Sequence, residues 1–136
     1  MDLEPKHPRA QRFTFGDNRQ SCDALLALVR SGQKTATCGA LSDFETGQEA
    51  MPEPGRHDIA LDWAGVPQLL IRTTDVCLRR FCDVDGDFAL AEGENGSLDG
   101  WRADHRADFT RNGGWSPEMM LVCEQFELVE DLGKSR

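Results

Sequence analysis

Two extended runs joined by a tight turn, between Ile59 and Val76, limit the fold of this chain more than any other feature. Ile59, Leu61 and Trp63 alternate with Ala60 and Asp62, Ala64-Gly65 supplies the turn, and Gln68 to Val76 forms the return run. Strands paired this tightly argue against a doubly wound parallel sheet, where a helix separates each strand from the next. No Gly-x-Gly-x-x-Gly and no phosphate-loop lysine motif points the other way. A chain of 136 residues has room for one core. The expected class is α+β, a small mixed sheet or barrel with helices inserted around it.

The flanking segments fill in that frame. Cys22, Leu25, Leu26 and Val29 follow the helical i, i+3, i+4, i+7 rule, with Ser21 or Asp17 able to cap the start. Gly32 stands where a left-handed residue would close this helix, and Thr35-Ala36-Thr37-Cys38 then reads as extended, so Lys34 falls at a helix-to-strand junction. Asp43 to Arg56, rich in Glu, Gly and Pro, reads as a long surface loop. Phe81, Val84 and Phe88 recur at helical spacing before Gly93-Glu94-Asn95-Gly96 breaks the pattern. Ser97 can cap a helix to about Arg111, with Leu98, Trp101, His105 and Phe109 in one stripe and Gly113-Gly114 at its end. Met120, Val122, Phe126 and Leu128 alternate as in a strand buried on one face. Residues 1–12 and 130–136 are expected to be flexible ends around one domain, 13–129.

Charge and cysteine usage narrow the function. A net charge of -9 repels long polyanions unless basic groups gather on one face, for which Arg72, Arg79, Arg80, Arg102, His105, Arg106 and Arg111 are the candidates. The five cysteines form no Cys-x-x-Cys pair and have no histidine at zinc-ligand spacing, so reduced thiols are expected. No run approaches the ~20 apolar residues of a membrane helix. The start Met1-Asp2-Leu3-Glu4-Pro5 lacks the basic and apolar regions of a secretion signal, so no membrane partner and a cytoplasmic location are expected.

Chemistry points to Lys34-Thr35-Ala36-Thr37. A lysine could take a proton from a threonine hydroxyl and make it a nucleophile toward an acyl carbon, with a carboxylate orienting the pair. In an extended segment Lys34 lies on the opposite face from Thr35 and Thr37 unless a twist or bulge brings them together. Glu92 and Glu94, in a Gly-punctuated loop, are the candidate carboxylates, with plain surface exposure as the alternative for each. His105 reads as a hydrogen-bonded core histidine and Cys38 as a packing residue. Trp101 reads as core, or as a pocket wall able to stack on a nucleobase.

Together, Gly32-Gln33-Lys34-Thr35-Ala36-Thr37-Cys38, Phe44-Glu45, Pro54-Gly55, Leu61-Asp62, Ala91-Glu92-Gly93-Glu94-Asn95 and Trp101-x3-His105-x3-Phe109 resemble an ASCH domain from about Phe13 to Val129. The resemblance implies a PUA-like small mixed β-barrel with surrounding α-helices and a cleft lined by the Gly-x-Lys-Thr segment. Some members are amidohydrolases that remove the acetyl group from N4-acetylcytidine. Their lysine, threonine and glutamate correspond to Lys34, Thr37 and Glu94, with Glu92 the second choice for the glutamate. Others resemble RNA-binding modules or ribonucleases assisted by a divalent metal. The resemblance thus implies a modified nucleoside or RNA as partner, no cofactor for the hydrolase, and Thr35, Phe44, Glu45, Glu92, Trp101 and Arg102 around the substrate. Close relatives usually carry Ser where this chain has Gly39, an aromatic residue at Ser42 and Tyr at Phe44.

Overall fold

The computed structural model describes residues 10–47 and 49–133. The chain runs β1 (Gln11–Thr14), α1 (Arg19–Arg30), β2 (Ala36–Ala40), α2 (Leu41–Glu45), β3 (His57–Leu61), β4 (Pro67–Arg80), a 3-10 turn (Phe81–Asp83), α3 (Gly86–Ala91), α4 (Leu98–Asn112) and β5 (Met120–Asp131). The strands form one mixed sheet in the order β1-β3-β4-β5-β2, parallel only between β1 and β3. This half-barrel with four helices is the expected α+β class, and its hairpin β3–β4 is the one read from Ile59 to Val76.

Local chemistry accounts for most boundaries. The α1 helix is capped by Asn18, whose side chain accepts from Ser21 N–H, so neither Ser21 nor Asp17 is the cap. It ends at Gly32, whose φ of 85° is left-handed. Ser97 caps α4 by accepting from Gly100 N–H, as its position predicts. The expected loop from Asp43 starts later than its composition suggests, because α2 runs to Glu45. Two of the residues in the expected ends 1–12 and 130–136 are built into the domain. Gln11 already pairs with Asp58, and Leu132 is buried against Ile59 and Leu70; residues 1–9 and 134–136 lie outside the described residues. No helix among the described residues is long and apolar enough to cross a membrane.

The sheet is covered on both faces, and this corrects the one-sided reading of the last strand. One face packs on α1 through Cys22, Leu26 and Val29 against Leu69, Ile71 and Phe126. The other packs on α3 and α4 through Phe88, Ala89 and Trp101 against Ala36, Leu121 and Cys123. Leu121, Val122 and Cys123 are therefore buried in succession, whereas Met120 and Leu128 are exposed. A bulge between Thr73 and Asp75 shifts the β4–β5 register and carries β4 from one layer to the other.

Candidate functional site

The Lys34 side chain is 2% exposed. Its ammonium donates to the carbonyls of Ala36 (2.8 Å) and Glu92 (3.2 Å), and lies 3.1 Å from Glu94 Oε2 and 3.5 Å from Glu92 Oε1. Lys34 and Glu94 meet because Gly93 lets them: at φ 78° it lies so close to Gln33 and Lys34 that an added Cβ would sit 2.5 Å from the Gln33 oxygen. Thr35 N–H completes the junction by donating to the Ala91 carbonyl at 2.7 Å.

Behind this lysine the network continues inward. Trp101 Nε1 donates to Glu92 Oε2 at 2.9 Å, and His105 Nε2 lies 3.6 Å from the same oxygen. His105 Nδ1 sits 2.9 Å from the Trp101 carbonyl, to which it can only donate, and its ring stacks on the indole at 4.2 Å. Burial alone would raise the Glu92 carboxyl. The His105 hydrogen bond, the Lys34 charge and the Trp101 N–H overcome that and hold it below the ordinary range. Burial likewise opposes the His105 cation, but its hydrogen bond and charge interaction with Glu92 win and raise its pKa. The expectation of a hydrogen-bonded core histidine holds.

Cys38, Glu92 and His105 also place ligand atoms within 4.8 Å of one another, the only such trio among the described residues. It does not fit a divalent metal. The Glu92 oxygens already have Lys34, Trp101 and His105, and an ammonium stands beside them. Burial first, and then the Glu92 charge, hold the Cys38 thiol well above its usual range, so it is a packing residue as expected.

A cleft of about 480 Å³ opens on the opposite face of the same strands. Its floor carries Thr37 and Gly39 of β2 and Val122, Glu124 and Phe126 of β5; Asp58, Glu49 and Arg56 line its wall. Arg56 donates to Asp58 Oδ2 at 2.9 Å and to the carbonyls of Ala50 and Met51, strapping that segment over the sheet. The Phe44 ring rests against Gly39, where a Cβ would meet it at 3.2 Å. A side chain at position 39 would press on this ring, so the absence of one at Gly39 lets the ring lie against the strand.

Strand alternation divides the expected site residues between the two faces. Thr37 and Phe44 line the cleft, whereas Lys34, Glu92 and Glu94 cluster on the other face, and no hydrogen bond joins Lys34 to Thr37. Thr35, Glu45 and Arg102 line no part of the cleft. Trp101 is fully buried, as its core reading has it, and no face of the indole is open to a base. Glu124 and Asp58 were missed, although Glu124 carried a readable signal. It falls between Val122 and Phe126 in the period-two series, a carboxylate on the apolar face of a strand. Its Oε2 accepts from Thr73 Oγ1 at 2.6 Å. Burial raises its pKa, with Asp58 and Glu49 adding and Thr73 and Arg56 opposing.

The candidate basic surface is largely neutralised. Arg79 pairs with Asp85, Arg80 with Asp83, Arg72 with Glu127 and Arg111 with Asp108, while Arg106 lies over the Trp115 ring.

Comparison with known proteins agrees with this fold. Among curated proteins none matches the sequence. Among solved structures, the ASCH domain from Lactobacillus crispatus JV V101 superposes with a TM-score of 0.83 at 28% identity, over 93% of this chain and 84% of that one. Protein EF3133 from Enterococcus faecalis V583 gives 0.82 at 33% identity, over 98% of this chain and 86% of that one. The sequence itself matches the ASCH domain over residues 11–130, and the chain belongs to the ASCH domain family.

Proposed function

We propose that the chain hydrolyses the amide of a small N-acylated nucleoside of the N4-acetylcytidine type, with Thr37 as nucleophile. The observation that carries this reading is the Thr37 hydroxyl, which has no hydrogen-bond partner among the described residues and faces a cleft of about 480 Å³. That volume is in the usual range for a small-molecule site. Phe44 offers an aromatic wall, and Glu49, Asp58 and Glu124 offer acceptors to amino and hydroxyl groups.

The same carboxylates repel phosphates, and most of the basic surface is already paired, which favours a nucleoside over RNA. The proposed reaction consumes water alone and calls on no cofactor. Lys34 and Glu94 enter as the clasp that fixes the start of β2, and through it the position of Thr37.

The test is release of cytidine from N4-acetylcytidine by wild type, by a chelator-treated sample and by Thr37→Ala. Turnover that survives the chelator and disappears in Thr37→Ala is expected. Full turnover by Thr37→Ala would remove the nucleophile from this scheme. RNA binding with a steep salt dependence and no nucleoside turnover would transfer the function to the RNA-binding or ribonuclease class.

A further inference from the structure

We propose that Glu124 is the general base that activates Thr37, and that Lys34 positions the strand without exchanging a proton with it. This rests on the hydrolase reading above.

The argument is geometric. Thr37 and Glu124 are register partners on the antiparallel strands β2 and β5, so their side chains leave the same face. Directly opposed residues of such a pair have Cβ atoms about 4.5–5.5 Å apart. No hydrogen bond joins Thr37 to Glu124 in this structure, and the proposed proton transfer needs one to form when substrate is bound. Both line the cleft. Thr73, 1% exposed, holds Glu124 Oε2 at 2.6 Å, which fixes the carboxylate and leaves Oε1 without a partner among the described residues. Lys34 is placed otherwise. Its side-chain nitrogen is on the far face, held by two backbone carbonyls and two carboxylates, away from Thr37.

The groups facing Glu124 suit a base. Arg56 and Asp58 stand at β3, Glu49 on the segment after α2, Arg12 on β1 and Thr73 on β4. Burial and the two neighbouring carboxylates bring its basicity closer to neutrality than that of an exposed glutamate, where general bases work best. In the first step the Thr37 Oγ proton passes to Glu124 as the Oγ–C bond forms at the amide carbonyl. Glu124 then gives this proton to the departing nitrogen as the C–N bond breaks, leaving an acyl-threonine ester. Water attacks the ester and yields its proton to Glu124. That proton returns to Thr37 Oγ as the ester bond breaks and the carboxylic acid departs.

The experiment measures kcat and KM for N4-acetylcytidine from pH 4 to 9 for wild type, Glu124→Gln and Thr73→Val, with circular dichroism confirming the fold. Glu124→Gln is expected to lose at least about a hundredfold in kcat with KM nearly unchanged, and to lose the acid limb of the wild-type profile. Thr73→Val keeps the carboxylate but frees it, so a smaller loss with a displaced acid limb is expected, and this holds as a test even if Glu124→Gln does not fold. A folded Glu124→Gln within about threefold of wild-type kcat overturns the role of Glu124 and leaves Thr37 standing. So does a Thr73→Val profile that superposes on wild type. A wild type inactive on this and other N-acylated nucleosides overturns the hydrolase reading and this role with it.

Discussion

Glu92 and Glu124 are two carboxylates withdrawn from water on opposite faces of one sheet, and burial pushes both toward the neutral form. In Glu92 that tendency is reversed, because Lys34, Trp101 and His105 surround both oxygens. In Glu124 it prevails, because Thr73 is its one hydrogen-bond donor among the described residues and Asp58 and Glu49 lie nearby. The difference separates a carboxylate that fastens the fold from one that remains able to react. A buried charge with all its partners makes removal of any partner costly, whereas one with few partners carries a standing penalty available to chemistry.

Removing the cation should have the largest effect. Lys34→Met removes the ammonium from between Glu92 and Glu94, and breaking such a buried pair destabilises by about 3–5 kcal/mol. Urea denaturation should show this as a fall in midpoint with little change in slope. A midpoint within error of wild type would mean that the clasp contributes nothing and that Glu92 is as loosely held as Glu124. Trp101→Phe keeps an aromatic ring over His105 but removes the indole donor to Glu92 Oε2. A hydrogen bond to a charged group is worth about 1.5–3 kcal/mol, so a loss of this size is expected from the same measurement.

The clasp should also have a pH window. Glu92 titrates below its ordinary 4.5 in the folded state, so its contribution is present above pH 4.5 and is lost as pH falls through the lowered value. His105 titrates above its ordinary 6.5, so its contribution is full below pH 6.5 and is lost as pH rises through the raised value. Between pH 4.5 and 6.5 both are in place. Thermal unfolding across pH should find the clasp strongest there, and His105→Asn should remove the decline on the alkaline side. A decline unchanged in His105→Asn would assign it to another group.

Sequence and structure agree where the cause is local. The Ser97 cap, the left-handed Gly32 and the β3–β4 turn each depend on a few neighbouring residues, and each was legible. The two-sided burial of Leu121 to Cys123 was not, because it depends on which helices cover the sheet, and the bulge after Thr73 reverses the face that simple alternation assigns to later residues of β4. Within the site, Lys34 and Glu94 could be named but not joined, since 60 residues separate them and only the close approach at Gly93 brings them together. Alternation did assign Lys34 and Thr37 to opposite faces. The resemblance to a Lys-Thr-Glu set drew them together, and the strand keeps them apart.

The smallest stability effect should have the opposite sign from the rest. A carboxyl whose folded pKa is raised binds a proton more readily folded than unfolded, so the folded state loses stability as pH rises from about the ordinary 4.5 through the raised value. Above the raised value Glu124 therefore carries its full penalty, and Glu124→Gln, which keeps the shape and can still accept from Thr73, removes it. The variant should unfold at a slightly higher temperature than wild type at pH 7, and this advantage should vanish below pH 4, where the carboxyl is protonated in both states. Gains of this kind are common where a protein holds an unfavourable group for function. A Glu124→Gln variant less stable than wild type at pH 7 would show that the carboxylate fastens the cleft as Glu92 fastens the clasp, and the contrast between the two faces would collapse.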